Sequence, residues 1–252
     1  MRRDTFVSRL DERLRTDDYA DVDASANGLQ VGRAEGTVER VALAVDAAEA
    51  TIEEAVDRDA DLLLVHHGLA WGGFDRLTGL DYDRIEPLVE NDVALYVSHL
   101  PLDGHQELGN AAGVADVLNL TDREPFGEYG AEYVGTRGTA TETYDADDVS
   151  TLLDKTLDTE TQVLGFGPNE IEEVGIVTGS GVDWIGAAAE AGLDALVTGE
   201  GKQKAYHEAR DRGLNVFLAG HYATETFGVR ALGRVAEGWG VETTYIDHPT
   251  GI

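Results

Sequence analysis

The chain has 252 residues, 42% of them hydrophobic, which is enough to form one large domain or two modest domains with a buried core. It has no cysteine, which excludes disulfide bonds and thiolate metal ligands, and its 49 acidic and 19 basic residues argue against non-specific nucleic-acid binding through a basic patch. The net charge of −30 favours a halophilic source, because a densely carboxylated surface keeps a protein dissolved in salt that screens its self-repulsion.

The first half of the chain alternates helix-like and strand-like segments. The N-terminus lacks the apolar stretch of a secretory signal, and no apolar run is long enough to cross a membrane, so we expect a cytoplasmic protein without a membrane partner. The predicted elements are, in order, a helix at 5–15, a strand at 38–47, a helix at 47–59, a strand at 61–67, a short helix at 83–92, a strand at 93–99 and a helix at 106–118.

A Gly-rich, acidic stretch from Asp122 to Asp148 follows, and it is the best candidate for a boundary between two lobes. Continuous apolar strands that alternate with helices predict an α/β protein. The elements predicted after this stretch are a helix at 147–157, a strand at 172–179, a helix at 182–192, a strand at 194–199, a helix at 202–213, a strand at 214–221, a helix at 223–240 and a final strand at 241–247.

Two segments of the second half, "IVTGSGVDW" and "LVTGEGKQK", share the order strand, Gly-x-Gly turn, helix. Such a turn can present backbone N–H groups to a phosphate. A P-loop, however, needs four residues between its glycines and Ser or Thr after the lysine, whereas Gln203 follows Lys202 here. We therefore favour a tight turn in which glycine relieves the backbone, with phosphate binding as the alternative.

Four of the seven histidines end apolar strands, where ligands of α/β sheets collect. They are His66, His67, His99 and His221. Asp103 follows His99 by four residues, and Glu225 follows His221 by four. A strand-end histidine can simply cap a strand, but three such ends with two nearby carboxylates favour metal binding. Imidazole and carboxylate without thiolate suit Zn, Mn, Fe, Co or Ni.

The segments "NGLQVG", "HHGL" and "GHYATE", in this order, resemble the NIF-three-like family with a YbgI-type dinuclear metal centre, whose members are often called GTP cyclohydrolase I type II homologues. The resemblance spans nearly the whole chain. It implies two divalent metal ions per chain, with His99 and Lys202 near the site but not established as ligands. The implied ligands are His66, His67, Asp103, His221 and Glu225. Where the family often has "HTNLD", this chain has "HLPLD".

The resemblance also implies an architecture of two α/β lobes. The N- and C-terminal segments would combine in one of them, so that residues 1–122 with 214–252 form a metal-binding lobe and residues 123–213 form the second lobe. Members of the family assemble as hexameric rings, and we therefore expect a homohexamer.

Three functions are compatible with these residues. A two-metal site can generate hydroxide and polarise an electrophile, which favours a hydrolase that opens the purine ring of a nucleotide, with His99 shuttling protons. Hydrolysis of a phosphodiester or phosphate is the enzymatic alternative, and a non-enzymatic scaffold or regulator is the third. Because His66 and His67 are neighbours on a strand, we expect them to serve different ions, with the Glu225 carboxylate bridging the pair.

Overall fold

The computed structural model describes residues 1–252 and contains two β-sheets with helices between the strands. The strands are β1 (Gly28–Val31), β2 (Arg40–Asp46), β3 (Leu62–His67), β4 (Ala94–Val97), β5 (Leu120–Tyr129), β6 (Glu132–Tyr144), β7 (Gln162–Gly165), β8 (Ile171–Ile176), β9 (Ala195–Thr198), β10 (Asn215–Leu218) and β11 (Glu242–Tyr245). The predicted α/β class is confirmed.

The helices fall close to their predicted positions, and none of them combines the length and apolar character needed to cross a membrane. They are α1 (Arg3–Leu14), α2 (Glu49–Asp57), α3 (Leu80–Glu90), α4 (Leu100–Asp103), α5 (Asn110–Val117), α6 (Ala146–Leu157), α7 (Ile185–Glu190), α8 (Gln203–Arg212), α9 (His221–Thr224) and α10 (Thr226–Gly238). The helix predicted at 223–240 is thus divided at Glu225, and two 3-10 turns lie at Thr16–Tyr19 and Gly181–Trp184.

The chain folds as two compact units. Unit 1 consists of Met1–Leu102 and Gly228–His248, and unit 2 consists of Asp103–Phe227 and Pro249–Ile252. The N- and C-terminal segments therefore combine in one unit, as the resemblance implied. The bounds differ from the predicted lobe bounds at 122 and 214, because α5 packs against β6 and because β10 pairs with β9, both within unit 2.

Unit 1 contains a five-stranded sheet in the order β1-β4-β3-β2-β11. Strands β2, β3, β4 and β11 are parallel, and β1 pairs antiparallel with β4 at one edge. The run from Leu62 to Val65 is fully buried in the middle of the sheet. A strand that is covered on both faces needs an uninterrupted apolar sequence, which explains why β3 was predicted correctly.

Unit 2 contains a six-stranded sheet in the order β5-β6-β8-β9-β10-β7. Strands β8, β9 and β10 are parallel, whereas β5 and β6 form an antiparallel hairpin that covers most of the Gly-rich, acidic stretch. Glycine is needed at position 135 of this hairpin, because an added Cβ would lie 2.2 Å from the carbonyl oxygen of Ile176 on β8. The stretch is therefore a pair of strands within unit 2, and its prediction as the boundary between two lobes was wrong.

Candidate metal centre

Three imidazoles lie together in unit 1. His66 and His67 end β3, and His99 follows β4, the parallel neighbour of β3. The ring centroid of His66 lies 4.5 Å from that of His67 and 5.2 Å from that of His99, and those of His67 and His99 lie 5.6 Å apart. The three residues offer ligand atoms within 4.8 Å of one another, so His99 meets the distance requirement for a ligand as well as its two predicted neighbours do.

Each of the three rings has its Nδ1 held by an oxygen acceptor. His66 donates to the carbonyl oxygen of Ser98 at 2.9 Å, His67 to Oδ1 of Asp46 at 2.8 Å, and His99 to Oδ1 of Asp23 at 2.9 Å. An acceptor at Nδ1 places the proton of the neutral ring there, and the lone pair is then on Nε2. Metal-binding histidines commonly show this arrangement, so the donor set of unit 1 fits a divalent ion.

Asp23 is a site residue that the sequence analysis missed. Its side chain is 2% exposed. Oδ1 accepts the Ser25 N–H at 2.9 Å in addition to the His99 ring, and Oδ2 accepts the Asn27 side-chain amide at 2.8 Å and the Leu100 N–H at 3.0 Å. Burial alone would raise the pKa of Asp23, but the hydrogen bond and charge of His99, with the other donors, bring it below its ordinary value. The buried carboxylate therefore stays ionised and fixes the His99 ring.

Asp46 is the second missed residue, and a sequence signal for it existed. It ends β2 and lies beside His67 in the register of the sheet. The rule that singles out strand-end histidines applies equally to a strand-end aspartate.

Two side chains of the "NGLQ" segment accept hydrogen bonds from backbone N–H groups at or near the imidazoles. The Asn27 side-chain oxygen accepts the His99 N–H at 2.7 Å. Gln30 Oε1 accepts the N–H groups of Leu69 and Ala70 at 2.6 and 2.9 Å. These polar side chains therefore fix the segments that carry and follow the histidines.

In unit 2 the remaining predicted ligands are buried carboxylates and one imidazole. Asp103 Oδ1 accepts hydrogen bonds from the Asn110 amide at 2.9 Å and the Thr178 hydroxyl at 3.2 Å. Glu225 is 3% exposed, and its Oε1 lies 3.2 Å from Nε2 of His221, as the four-residue spacing predicted. Buried carboxylates are costly unless they are paired or coordinate a cation, so this donor set also fits a metal.

His221 faces carboxylates on both sides of its ring. Its Nδ1 lies 3.5 Å from Oε1 of Glu200, opposite the contact with Glu225. Burial lowers the pKa of His221, but hydrogen bonding to Glu225 and the charges of Glu225 and Glu200 outweigh it and raise the pKa to about 9. This part of unit 2 is therefore strongly attractive to a positive charge.

The two Gly-x-Gly turns pack against each other and against these ligands. The N–H groups of Gly199 and Glu200 both donate to the Gly179 carbonyl at 2.9 Å, and the Gly181 N–H donates to the Thr198 hydroxyl at 2.8 Å. Gly179 has φ +60°, and a Cβ there would lie 2.2 Å from Oε1 of Glu225. These N–H groups are used within the protein and are therefore not available to a phosphate, which favours the tight-turn interpretation.

Lys202 takes part in an exposed ion-pair cluster. Its Nζ lies 2.8 Å from Oδ2 of Asp183, and Lys204 pairs with the other oxygen of the same carboxylate. The two lysines hold the pKa of Asp183 below its ordinary value. Lys202 therefore forms an ion pair on the surface of unit 2.

The chain is thus an α/β protein with one imidazole-rich and one carboxylate-rich group of residues that could bind metal ions. The chain belongs to the Duf34/NIF3 (NGG1p interacting factor 3) family, whose model matches residues 1–250. This confirms the family that the three sequence segments indicated.

Individual relatives and solved structures are also similar to this chain over nearly its whole length. A Halobacterium salinarum protein named "GTP cyclohydrolase 1 type 2 homolog" is 59% identical over 249 residues, which cover 98% of both chains. The solved structure of "protein ybgI, unknown function" has a TM-score of 0.92 at 34% identity and covers 100% of both chains. TTHA1606 from Thermus thermophilus has a TM-score of 0.91 at 40% identity, with the same coverage.

Proposed function

We propose that the chain is a hydrolase that depends on two divalent metal ions. The ligands would be His66, His67, Asp103, His221 and Glu225. The observation that carries the proposal is the common arrangement of the imidazoles in unit 1, each anchored through Nδ1 to an oxygen. The family resemblance supports this set of five ligands. Bound metal ions would supply Lewis acidity and a lowered pKa of bound water.

His99 is the residue that we assign to proton transfer. The Asp23 carboxylate fixes the tautomer of the His99 ring and would stabilise the ring when it becomes protonated. The ring can therefore accept a proton through Nε2 and return it in a later step.

The substrate class that we propose is a purine nucleotide. A first water would add to the carbon between the two nitrogens of the purine's imidazole ring and break one of its C–N bonds, which leaves a formamide. A second water would break the remaining C–N bond and release formate, and the ring nitrogens would take up protons from the two waters. His99 would take a proton from the attacking water and give it to a ring nitrogen as the C–N bond breaks. The name of the Halobacterium salinarum relative, "GTP cyclohydrolase 1 type 2 homolog", supports this choice.

Turnover of the purified, metal-loaded protein in molar KCl tests the proposal. The substrates would be GTP, GMP and a phosphodiester, with formate, phosphate and nucleotide products measured separately. Formate release supports ring opening. Release of phosphate or a monoester in its place would identify a phosphoesterase, and no turnover on any substrate would favour a scaffold.

Variants of the Asp–His pair provide the controls. We expect His99→Gln and Asp23→Asn to reduce kcat by about 100-fold or more, since general acid–base catalysis contributes roughly 10²–10⁴-fold. His207→Gln is the matched control, because His207 lies exposed on α8 against Tyr206. Equal activity of the His99 and His207 variants would refute the assigned role.

A further inference from the structure

Trp71 is an exposed aromatic residue next to the imidazoles of unit 1. It is 46% exposed. Its ring centroid lies 4.9 Å from that of His99, with the two planes at 78°, and 6.1 Å from that of His67. About half of a large planar ring is thus open to solvent at the edge of the metal donors.

The Trp71 ring is held in place although it lies outside any helix or strand. Its Nε1 donates to the carbonyl oxygen of Gly68 at 3.1 Å. Its backbone forms an antiparallel bridge with Ser25, and the Gly72 N–H donates to the carbonyl oxygen of Ala24 at 2.7 Å.

Anchoring distinguishes Trp71 from an incidental surface residue. The preceding residues, Leu69 and Ala70, are bound through their N–H groups to Gln30. An exposed indole that is fixed beforehand loses little conformational entropy when a ligand packs on it. Fixed aromatic rings of this kind are the usual platforms for nucleobases, because every base has a planar π-face.

The other two tryptophans have different surroundings. Trp239 packs edge-on against Phe6, with Arg9 over its ring, and Trp184 lies 6.2 Å from Tyr129 between ring centroids. Trp71 is the tryptophan whose ring contacts are the site imidazoles.

We propose that Trp71 stacks on the base of a purine nucleotide and so sets the position of the base relative to His99. This inference rests on the proposed function for the choice of ligand, and it concerns binding, not turnover. It assigns substrate recognition to the "GLAWGG" segment, which directly follows the two strand-end histidines.

Calorimetric titration of the metal-loaded protein in molar KCl tests the inference. The two probes are GMP and ribose 5-phosphate, which carries the phosphate and sugar without the base. Trp71→Ala should weaken GMP binding about 5- to 150-fold, the range that corresponds to loss of one base stack. Trp71→Phe should stay within about 3-fold of the wild type, because it keeps an aromatic face. Ribose 5-phosphate should bind all three proteins equally.

Trp184→Ala is the matched control, since its indole Nε1 also donates to a backbone carbonyl, that of Glu128 at 3.2 Å. Metal content is measured for every variant. Unchanged GMP affinity in Trp71→Ala, a parallel loss of ribose 5-phosphate binding, or loss of metal in that variant would overturn the inference. If GMP binding depends on Trp71 but no formate is released, the stacking role stands and the proposed reaction fails.

Discussion

The close approach of Gly179 to Glu225 gives a prediction whose magnitude follows from the structure. In Gly179→Ala the new Cβ would lie 2.2 Å from Oε1 of Glu225 and 3.0 Å from Nε2 of His221, at a backbone φ of +60°. The left-handed conformation costs a non-glycine residue about 1–2 kcal/mol. Displacement of a buried, hydrogen-bonded carboxylate adds about 1–3 kcal/mol. We therefore expect a free energy of unfolding lower by about 2–5 kcal/mol.

Gly192→Ala separates these two contributions. Gly192 has φ +73°, and no atom lies within 4 Å of the position that a Cβ would take. This variant should lose only the backbone contribution. Thermal unfolding in molar KCl should show a decrease in Tm of about 2–8 °C for Gly192→Ala and about 4–20 °C for Gly179→Ala, at roughly 2–4 °C per kcal/mol.

Metal content completes this test. Gly179→Ala should bind less metal than the wild type, because the Glu225 carboxylate must move, whereas Gly192→Ala should bind the same amount. Equal Tm decreases in the two variants, together with equal metal content, would refute the reasoning that Gly179 is required by the carboxylate.

Three further predictions concern the metals, the salt and the pH. If Glu225 bridges two ions, Glu225→Ala should lose metal from both positions and His66→Ala mainly from one; a Glu225→Ala protein that keeps two ions per chain contradicts the bridge. The protein should sediment as six chains in molar KCl and lose assembly or far-UV CD signal near 0.1 M, where the Debye length reaches about 10 Å; an unchanged profile contradicts this. Burial and the nearby Asp11 raise the pKa of Tyr96 well above its ordinary value, so its stabilising effect is complete below about pH 10 and declines above it. Tyr96→Phe should remove this alkaline loss of Tm, and the same slope in both proteins would contradict it.

The parts of the fold that the sequence predicted are those in which local pattern and burial agree. Strands β2, β3 and β4 are buried almost throughout, and their apolar runs are visible without knowledge of their partners. The hairpin of β5 and β6 was missed because many of its residues are exposed. Its glycines allow close strand approach, as at Gly135, but in the sequence they were interpreted as part of a boundary between two lobes.

The site was predictable where the residue type and its position in the predicted strands together indicate a metal ligand. Histidines at strand ends, followed by carboxylates at short spacing, could be recognised directly. Asp23 could not, because its partner His99 lies 76 residues away and the pairing depends on the sheet that brings them together. Asp46, 21 residues from His67, could have been recognised, because it ends β2 as His67 ends β3.

The adjacency of His66 and His67 has a physical explanation in the sheet itself. Consecutive residues within a strand point to opposite faces, but at the end of β3 the two rings come together, with their centroids 4.5 Å apart. His66 Nδ1 is held by the backbone of Ser98, which follows β4, and His67 Nδ1 by the side chain of Asp46 at the end of β2. Since β4 and β2 flank β3 on its two sides, each imidazole is oriented by a different neighbouring strand. Independent orientation of the two nitrogens allows each imidazole to serve its own ion, and on this basis, together with the family resemblance, we propose a dinuclear centre.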